Sequence, residues 1–389
     1  MTLFQQRLEE VRSFFNNRDT VLGFRKLMDC AADTQNMDVY KQVIDITAWK
    51  ERHPEDEKLL TEKSLNLISV LEKFQIEPAK TDQPIIKATD LIKSYGRSKF
   101  KLGPVSLSIF KGKVYGLVGE NGNGKTTLLR SLSKELSITG GSLDYDFEFS
   151  NNEDRSIDDD YELRSRLVYI PQRTATWYGS LKDNLKFVLS NYGIDPTENE
   201  TRVLFMIARL GLWNYKHLKW SELSSGYKMR FELARTLLRK PEVMLLDEPL
   251  ANLDVLAQQV VLEDLKSICN SLSNPIALIL SSQQLYEVEK ISDKVIYLKN
   301  GQYTDNNEPV ENATSQLIVE IDSTDDREQI KAAFASLAME KLVFNGGVYL
   351  AYFENATAFY EVIAALGNAR TNITYIRDIS VSTRRFFVS

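Results

Sequence analysis

The sequence predicts an α/β protein with a mostly parallel sheet, set between an all-α extension and a small α+β domain. Three observations predict it. Between residues 85 and 303 short apolar runs alternate with helical patterns, and one of those runs opens directly into a glycine-rich loop and a helix. On either side of that stretch the hydrophobic period changes, to a helical one before it and a strand-rich one after it. The boundaries fall at 1–76, 84–305 and 314–389.

The first stretch is helical. Apolar residues recur at Phe4, Leu8, Val11 and Phe15, then at Val21, Phe24, Met28 and Ala31, and later at Leu60, Leu67, Leu71 and Phe74. Turn signals at Asn16–Asn17 and His53–Pro54 divide it into three or four short helices. The polar run 76–84 (IEPAKTDQP), with two prolines, reads as a linker. In the middle stretch IIKATDLIKSY, VYGLVG, RLVYIPQ, VMLLDE, IALILSS and KVIYLKNG read as strands of one sheet. After a polar turn near 305–312 come QLIVEID, EKLVF, VYLAYF and NITYIRD, with helices near 325–337 and 356–366. The order β-α-β-β-α-β matches a ferredoxin-like domain.

Composition bounds the function. The chain has 389 residues, 43% hydrophobic and 26% charged, enough for two or three domains. A net charge of −6 argues against a nucleic-acid partner, which asks for a basic face. Cys30 and Cys269 are the only cysteines, as suits a reducing cytosol. The opening MTLFQQRLEEVRSFF carries acids early and lacks an apolar core, so it does not read as a signal peptide. No stretch approaches the ~18 apolar residues of a membrane span, so a role at a membrane comes through a partner.

Chemistry concentrates at 119–127, GENGNGKTT, which fits G-x-x-x-x-G-K-[ST] between the strand VYGLVG and the helix TTLLRSLS. Gly119, Gly122 and Gly124, interleaved with Asn121 and Asn123, let the backbone curl so that its N–H groups face phosphate oxygens at a helix N-terminus. Lys125 reaches the β- and γ-phosphates, the Thr126 hydroxyl ligates Mg²⁺, and Thr127 completes the loop. The strand VMLLDE ends in Asp247 and Glu248, an arrangement that holds Mg²⁺ through the first and polarises an attacking water through the second.

Between the two lies LSSGYKMRFELARTLLRKP, beginning at Leu223. It resembles the LSGGQ signature of ATP-binding cassette (ABC) ATPases and the basic helix that follows it, and the resemblance spans 85–303. It implies an ATPase using ATP and Mg²⁺. By the same resemblance Tyr95 stacks on adenine, Gln172 touches Mg²⁺ and the water, and Asn252–Leu253–Asp254 form the D-loop. Ser224 and Gly226 bind the γ-phosphate of ATP held by a second cassette, in a homodimer or a heterodimer. The tail is similar to that of export-type ATPases. The chain is therefore expected to be a transporter's ATPase subunit, cytoplasmic and peripheral at the inner face of the membrane through a separate permease. The alternative is a soluble member acting on ribosomes or DNA, or as an ATP-gated signalling clamp.

Three positions depart from the family pattern. Ser225 stands for its middle glycine, Tyr227 for its glutamine, and Gln283 for the histidine that meets the γ-phosphate. Gln283 is a neutral donor of similar reach, so a slower catalytic site is expected. Trp177 and Tyr178 lie where transporters of the family receive a helix from the membrane partner, or else pack the helical layer. The acidic run 152–160 (NEDRSIDDD) and the pair Arg384–Arg385 read as solvated surface.

Overall fold

The computed structural model describes residues 1–96, 100–147, 159–192, 194–283, 285–305, 317–345, 347–354 and 357–380. Most of the acidic run and of the polar turn, and the pair Arg384–Arg385, lie outside them. The chain divides into two compact units, Met1–Gln283 with Ile291–Tyr303, and Gln284–Lys290 with Thr304–Ser389.

The first unit opens with helices α1 (Leu3–Asn16), α2 (Thr20–Asp33), α3 (Met37–Arg52) and α4 (Glu57–Leu71). Each starts on a polar cap: Thr2, Asp19, Asn36 and Asp56 accept from backbone N–H groups of the first turn. The apolar stripes face inward, burying Phe4, Leu8, Phe24, Leu27, Val43, Leu67 and Leu71. This core also takes in Phe205, Ala208 and Leu272 from later in the chain.

The cassette follows as β1 (Pro84–Ser94), β2 (Lys101–Phe110), β3 (Val114–Val118), α5 (Lys125–Leu132), β4 (Gly140–Tyr145), α6 (Asp159–Arg166) and β5 (Leu167–Ile170). Then come α7 (Leu181–Ser190), α8 (Pro196–Arg209), α9 (Ser225–Leu237), β6 (Val243–Leu246), α10 (Val255–Cys269) and β7 (Ala277–Ser282). Helix α11 (Leu285–Ile291) precedes β8 (Lys294–Lys299) and β9 (Gln302–Asp305).

Six strands form one sheet in the order β5-β6-β7-β3-β8-β9, parallel from β5 through β8. Every residue of β3, β6 and β7 is buried, as expected of strands covered on both faces.

One expectation needs correction. IIKATDLIKSY does not join the parallel sheet: β1 pairs antiparallel with β2 and β4 in a sheet of its own, ordered β2-β1-β4. Its alternating burial is the reason, because a strand with one wet face suits an antiparallel sheet. Strands β2 and β4 escape the sequence reading because each carries turn residues. Gly103 and Pro104 sit in β2, an edge strand where a proline is tolerated, and Gly140–Gly141 open β4.

In the second unit β10 (Leu317–Ser323), α12 (Arg327–Ala333), β11 (Met339–Asn345), β12 (Val348–Phe353), α13 (Phe359–Asn368) and β13 (Ile373–Asp378) run in the expected order. The strands pair antiparallel in the sequence β11-β12-β10-β13. Ile330, Phe334, Val362 and Leu366 of the helical side pack on Val319, Ile321, Ala351 and Phe353 of the sheet. Helix α12 is shorter than its apolar pattern suggests, bounded by the Asp326 cap and by Phe334.

Candidate nucleotide site

The glycine-rich loop leaves β3 at Val118 and enters α5 at Lys125. Gly119 is dictated by close approach, since a Cβ there would stand 2.5 Å from the Leu298 carbonyl oxygen. Gly124 caps α5 with φ of 102°, a left-handed conformation that a side chain rarely adopts. The buried Asn123 accepts from the Asn300 N–H at 3.0 Å, pinning the loop to the end of β8. Glu120, Asn121 and Gly122 are exposed and Thr127 is half-buried. Lys125 turns back into the loop and donates to the Gly119 and Glu120 carbonyls at 2.6 and 3.2 Å. Burial pushes its ammonium below the usual lysine range, with Glu248 and then Asp247 acting against that.

Because β3, β5, β6 and β7 run parallel, the residues at their C-terminal ends meet at one edge of the sheet. Asp247, just past β6, is almost wholly buried and fully engaged. Its Oδ2 accepts from Thr126 Oγ1 at 2.7 Å and from the Tyr169 hydroxyl at 3.1 Å, and its Oδ1 from Ser281 Oγ at 2.7 Å. Glu248 is held in a left-handed conformation, φ 48°, and its N–H donates to Ser281 Oγ at 2.8 Å. Its carboxylate accepts from Gln172 Nε2 at 2.8 Å and from Gln283 Nε2 at 2.9 Å, with Lys125 Nζ 3.7 Å away. Lys125, Thr126, Gln172, Asp247, Glu248 and Gln283 thus form one cluster, although they are spread over more than 150 positions.

Tyr95, Ser224 and Gly226 take no part in those bonds. Tyr95 follows β1, 39% exposed, with Lys93 Nζ 5.4 Å from its ring centre. The ring against the loop is that of Phe100, whose edge comes within 2.9 Å of where a Cβ on Gly124 would stand. Ser224 is the exposed N-cap of α9, and its hydroxyl makes no cap hydrogen bond. Ser225 Oγ donates to the Asn252 carbonyl at 2.9 Å, joining the start of α9 to the loop before α10. Tyr227 faces inward, where its hydroxyl accepts from the Tyr215 hydroxyl at 2.7 Å.

The aromatic pair after Gln172 splits. Trp177 donates to Glu232 at 2.8 Å and packs on Phe231, whereas Tyr178 is 89% exposed.

Sequence reasoning missed Phe100, Tyr169, Ser281 and Asn300. Ser281 had a legible signal, since it ends an apolar strand two residues before Gln283. Tyr169 lies within the motif that contains Gln172. Phe100 and Asn300 had none.

Comparison with known proteins decides the family. A family model described as ABC transporter matches residues 102–251. The lantibiotic transport ATP-binding protein SrtF of Streptococcus pyogenes is 31% identical over 218 residues, covering 56% of this chain and 88% of that protein.

This chain belongs to the ABC transporter ATP-binding proteins.

The energy-coupling factor transporter ATP-binding protein EcfA1 of Latilactobacillus sakei is another ABC relative, 28% identical over 233 residues, 59% of this chain and 80% of that protein. Among solved structures, cbiO1 from Clostridium perfringens, part of the ABC transporter complex cbiONQ, aligns with a TM-score of 0.52 at 25% identity. It covers 57% of this chain and 88% of its own. The cassette is thus an ABC ATPase, which binds and hydrolyses ATP. Among the described residues no helix is long and apolar enough to cross a membrane.

Proposed function

We propose that this ABC ATPase is the energy-converting subunit of a transporter, closing with a second cassette over ATP and acting on a separate permease at the inner face of the membrane. The observation that carries the reading is the cluster at the sheet edge, where a lysine, a hydroxyl and two carboxylates converge on one phosphate loop. Lys125 exchanges its carbonyl bonds for phosphate oxygens. The Thr126 hydroxyl and the oxygens of Asp247 and Gln172 are hard donors, a set that suits Mg²⁺. When bound, that ion supplies charge neutralisation at the phosphates. Glu248 accepts the proton of the attacking water, oriented by the two amides that hold it, and Lys125 stabilises charge on the phosphates.

The exposed Ser224 and the half-buried Gly226 at the start of α9 offer the other half of a site to a second copy or to a related cassette. The reading divides the chain into a helical extension (1–76), the cassette (84–305) and a ferredoxin-like domain (314–389). The last rests on its β-α-β-β-α-β order and on its strand order. Docking to the permease is supported by Tyr178 and by Phe187 of α7, 65% exposed in the helical layer. The relatives named above are transport proteins, and the soluble alternative draws no support from them.

Co-expression with an integral membrane protein encoded beside it tests the reading. Purification in detergent should give a stoichiometric complex whose ATP turnover responds to substrate. The double variant Tyr178→Ala, Phe187→Ser should break that complex and leave the cassette folded. A chain that stays free of the membrane protein and sediments with ribosomes overturns it.

A further inference from the structure

One carboxylate in α10 is shared by three elements. Asp264 is 8% exposed, on the helix whose N-cap, Asp254, belongs to the D-loop. Arg25 of α2 donates through Nη2 to its Oδ1 at 2.7 Å and through Nη1 to Glu263 at 2.9 Å. Arg230, in the second turn of α9, stands opposite, with Nε 3.6 Å from Oδ2, too far for a hydrogen bond. Among the described residues that oxygen has no hydrogen-bond partner. Burial raises the carboxyl's pKa, and the two arginines oppose it, Arg25 most. A buried carboxylate persists in charged form only where cations answer it, so the two arginines share one task.

Arg230 also lies 5.9 Å over the Tyr227 ring, and Tyr227 is three residues from Ser224. We propose that Arg25 of the N-terminal extension is a positioning residue for ATP turnover. Through Asp264 it sets Arg230, and with it the start of α9, where Ser224 and Gly226 meet the phosphate of the second cassette. The inference rests on that reading of Ser224 and Gly226. Its geometry is direct: with Arg25 present, Asp264 Oδ1 accepts one prong of the guanidinium while Glu263 takes the other, and Arg230 is kept at a looser distance. Without Arg25, the carboxylate draws Arg230 inward and turns the signature loop with it. Among the described contacts none of the three residues touches Lys125, Thr126, Asp247 or Glu248, so loading of the phosphate loop is independent of them.

The test measures steady-state phosphate release and binding of a fluorescent ATP analogue for the full-length parent, Arg25→Ala, Arg25→Lys and Glu51→Ala. Glu51 is the control, because it ties the same extension to the cassette through Trp213 Nε1 at 2.7 Å without touching Asp264. Arg25→Ala should lower kcat about fivefold or more while analogue affinity stays within about twofold, and Arg25→Lys should recover part of the loss. Glu51→Ala should keep the parent's kcat. Arg25→Ala and Arg230→Ala should combine non-additively, as two residues acting on one carboxylate do. Should Arg25→Ala fail to fold, Arg25→Lys and Arg230→Ala carry the comparison. Equal turnover in Arg25→Ala and parent, or an equal loss in Glu51→Ala, overturns the proposal. A parent whose turnover survives Glu248→Gln would instead overturn the account of the site on which it rests.

Discussion

Gln283 Nε2 donates to Glu248 Oε1 at 2.9 Å, and in the function proposed above the first stands where the family has a histidine and the second polarises water. Gln172 Nε2 holds the other oxygen at 2.8 Å. A neutral amide positions Glu248 and brings no charge to the γ-phosphate. Gln283→His adds a donor that can be charged, and such bonds are about twice as strong as neutral ones, most of all as charge develops in the transition state. Turnover should rise with little change in ATP affinity, and should fall as pH rises through about 6.5, where the imidazolium loses its proton. Gln283→Ala should be slower than the parent. Phosphate release from the three proteins at several pH values checks this. Equal, low rates for the His and Ala variants would show that Gln283 only fills a loop.

The base has two candidate rings. Tyr95→Ala should weaken ATP binding by about 0.5–1.5 kcal/mol, the worth of an aromatic stack, whereas Tyr95→Phe should do little. Titration with ATP checks both. If Tyr95→Ala binds like the parent while Phe100→Ala does not, the ring against Gly124 is the one that matters.

How far the site was legible follows from where its residues sit. The loop 119–127 and the pair Asp247–Glu248 were readable because each lies at a strand end, within a run whose spacing the chemistry dictates. The role of Asn300 was not, because it arises only when β8 takes its place beside β3. Ser281, although its position near the end of an apolar strand was visible, meets Asp247 and Glu248 only when β7 lies beside β6. In the fold, the all-buried β3, β6 and β7 stood out as apolar runs. Strands β2 and β4, broken by glycine and proline, did not, and β1 was given to the wrong sheet because pairing partners are invisible in one strand's pattern. The hold of the extension on the cassette was likewise hidden, since Asp33 and Leu272 are 239 positions apart.

That hold is a stability prediction. Asp33 is buried, and its Oδ1 accepts from Ser271 Oγ at 2.6 Å and from the Leu272 and Ser273 N–H groups at 2.9 and 3.3 Å, while Arg7 bonds Oδ2 at 3.3 Å. Asp33→Ala leaves the buried Leu272 N–H and its part-buried neighbours without this acceptor and should cost about 3 kcal/mol. Urea unfolding of the two proteins measures it. An unchanged midpoint would mean that the loop after α10 rearranges to satisfy itself.

Lys125 gives a pH prediction. Its pKa lies below the ordinary 10.5 in the free protein because of burial, and bound phosphates raise it by adding negative charge nearby. Between the two values binding takes up a proton. Affinity is therefore full below the lower value and falls as pH rises through it, in a window that opens below the ordinary lysine range. Lys125→Met should bind weakly and show no such fall. Calorimetric titration across alkaline pH, in buffers of differing ionisation heat, reads the proton uptake directly; a parent curve parallel to that of Lys125→Met would remove Lys125 from the site.

Glu248 is the residue on which the account turns. Glu248→Gln keeps the side chain's shape and one of its two accepting oxygens, so that it still accepts from one of the two amides, and removes the group that takes the water's proton. Steady-state phosphate release at saturating Mg-ATP, paired with size-exclusion chromatography in ATP, is the direct measurement. The account predicts that the variant binds ATP like the parent, loses nearly all turnover and accumulates as an ATP-dependent dimer. Phosphate release at the parent's rate, from a variant that stays monomeric, would contradict it.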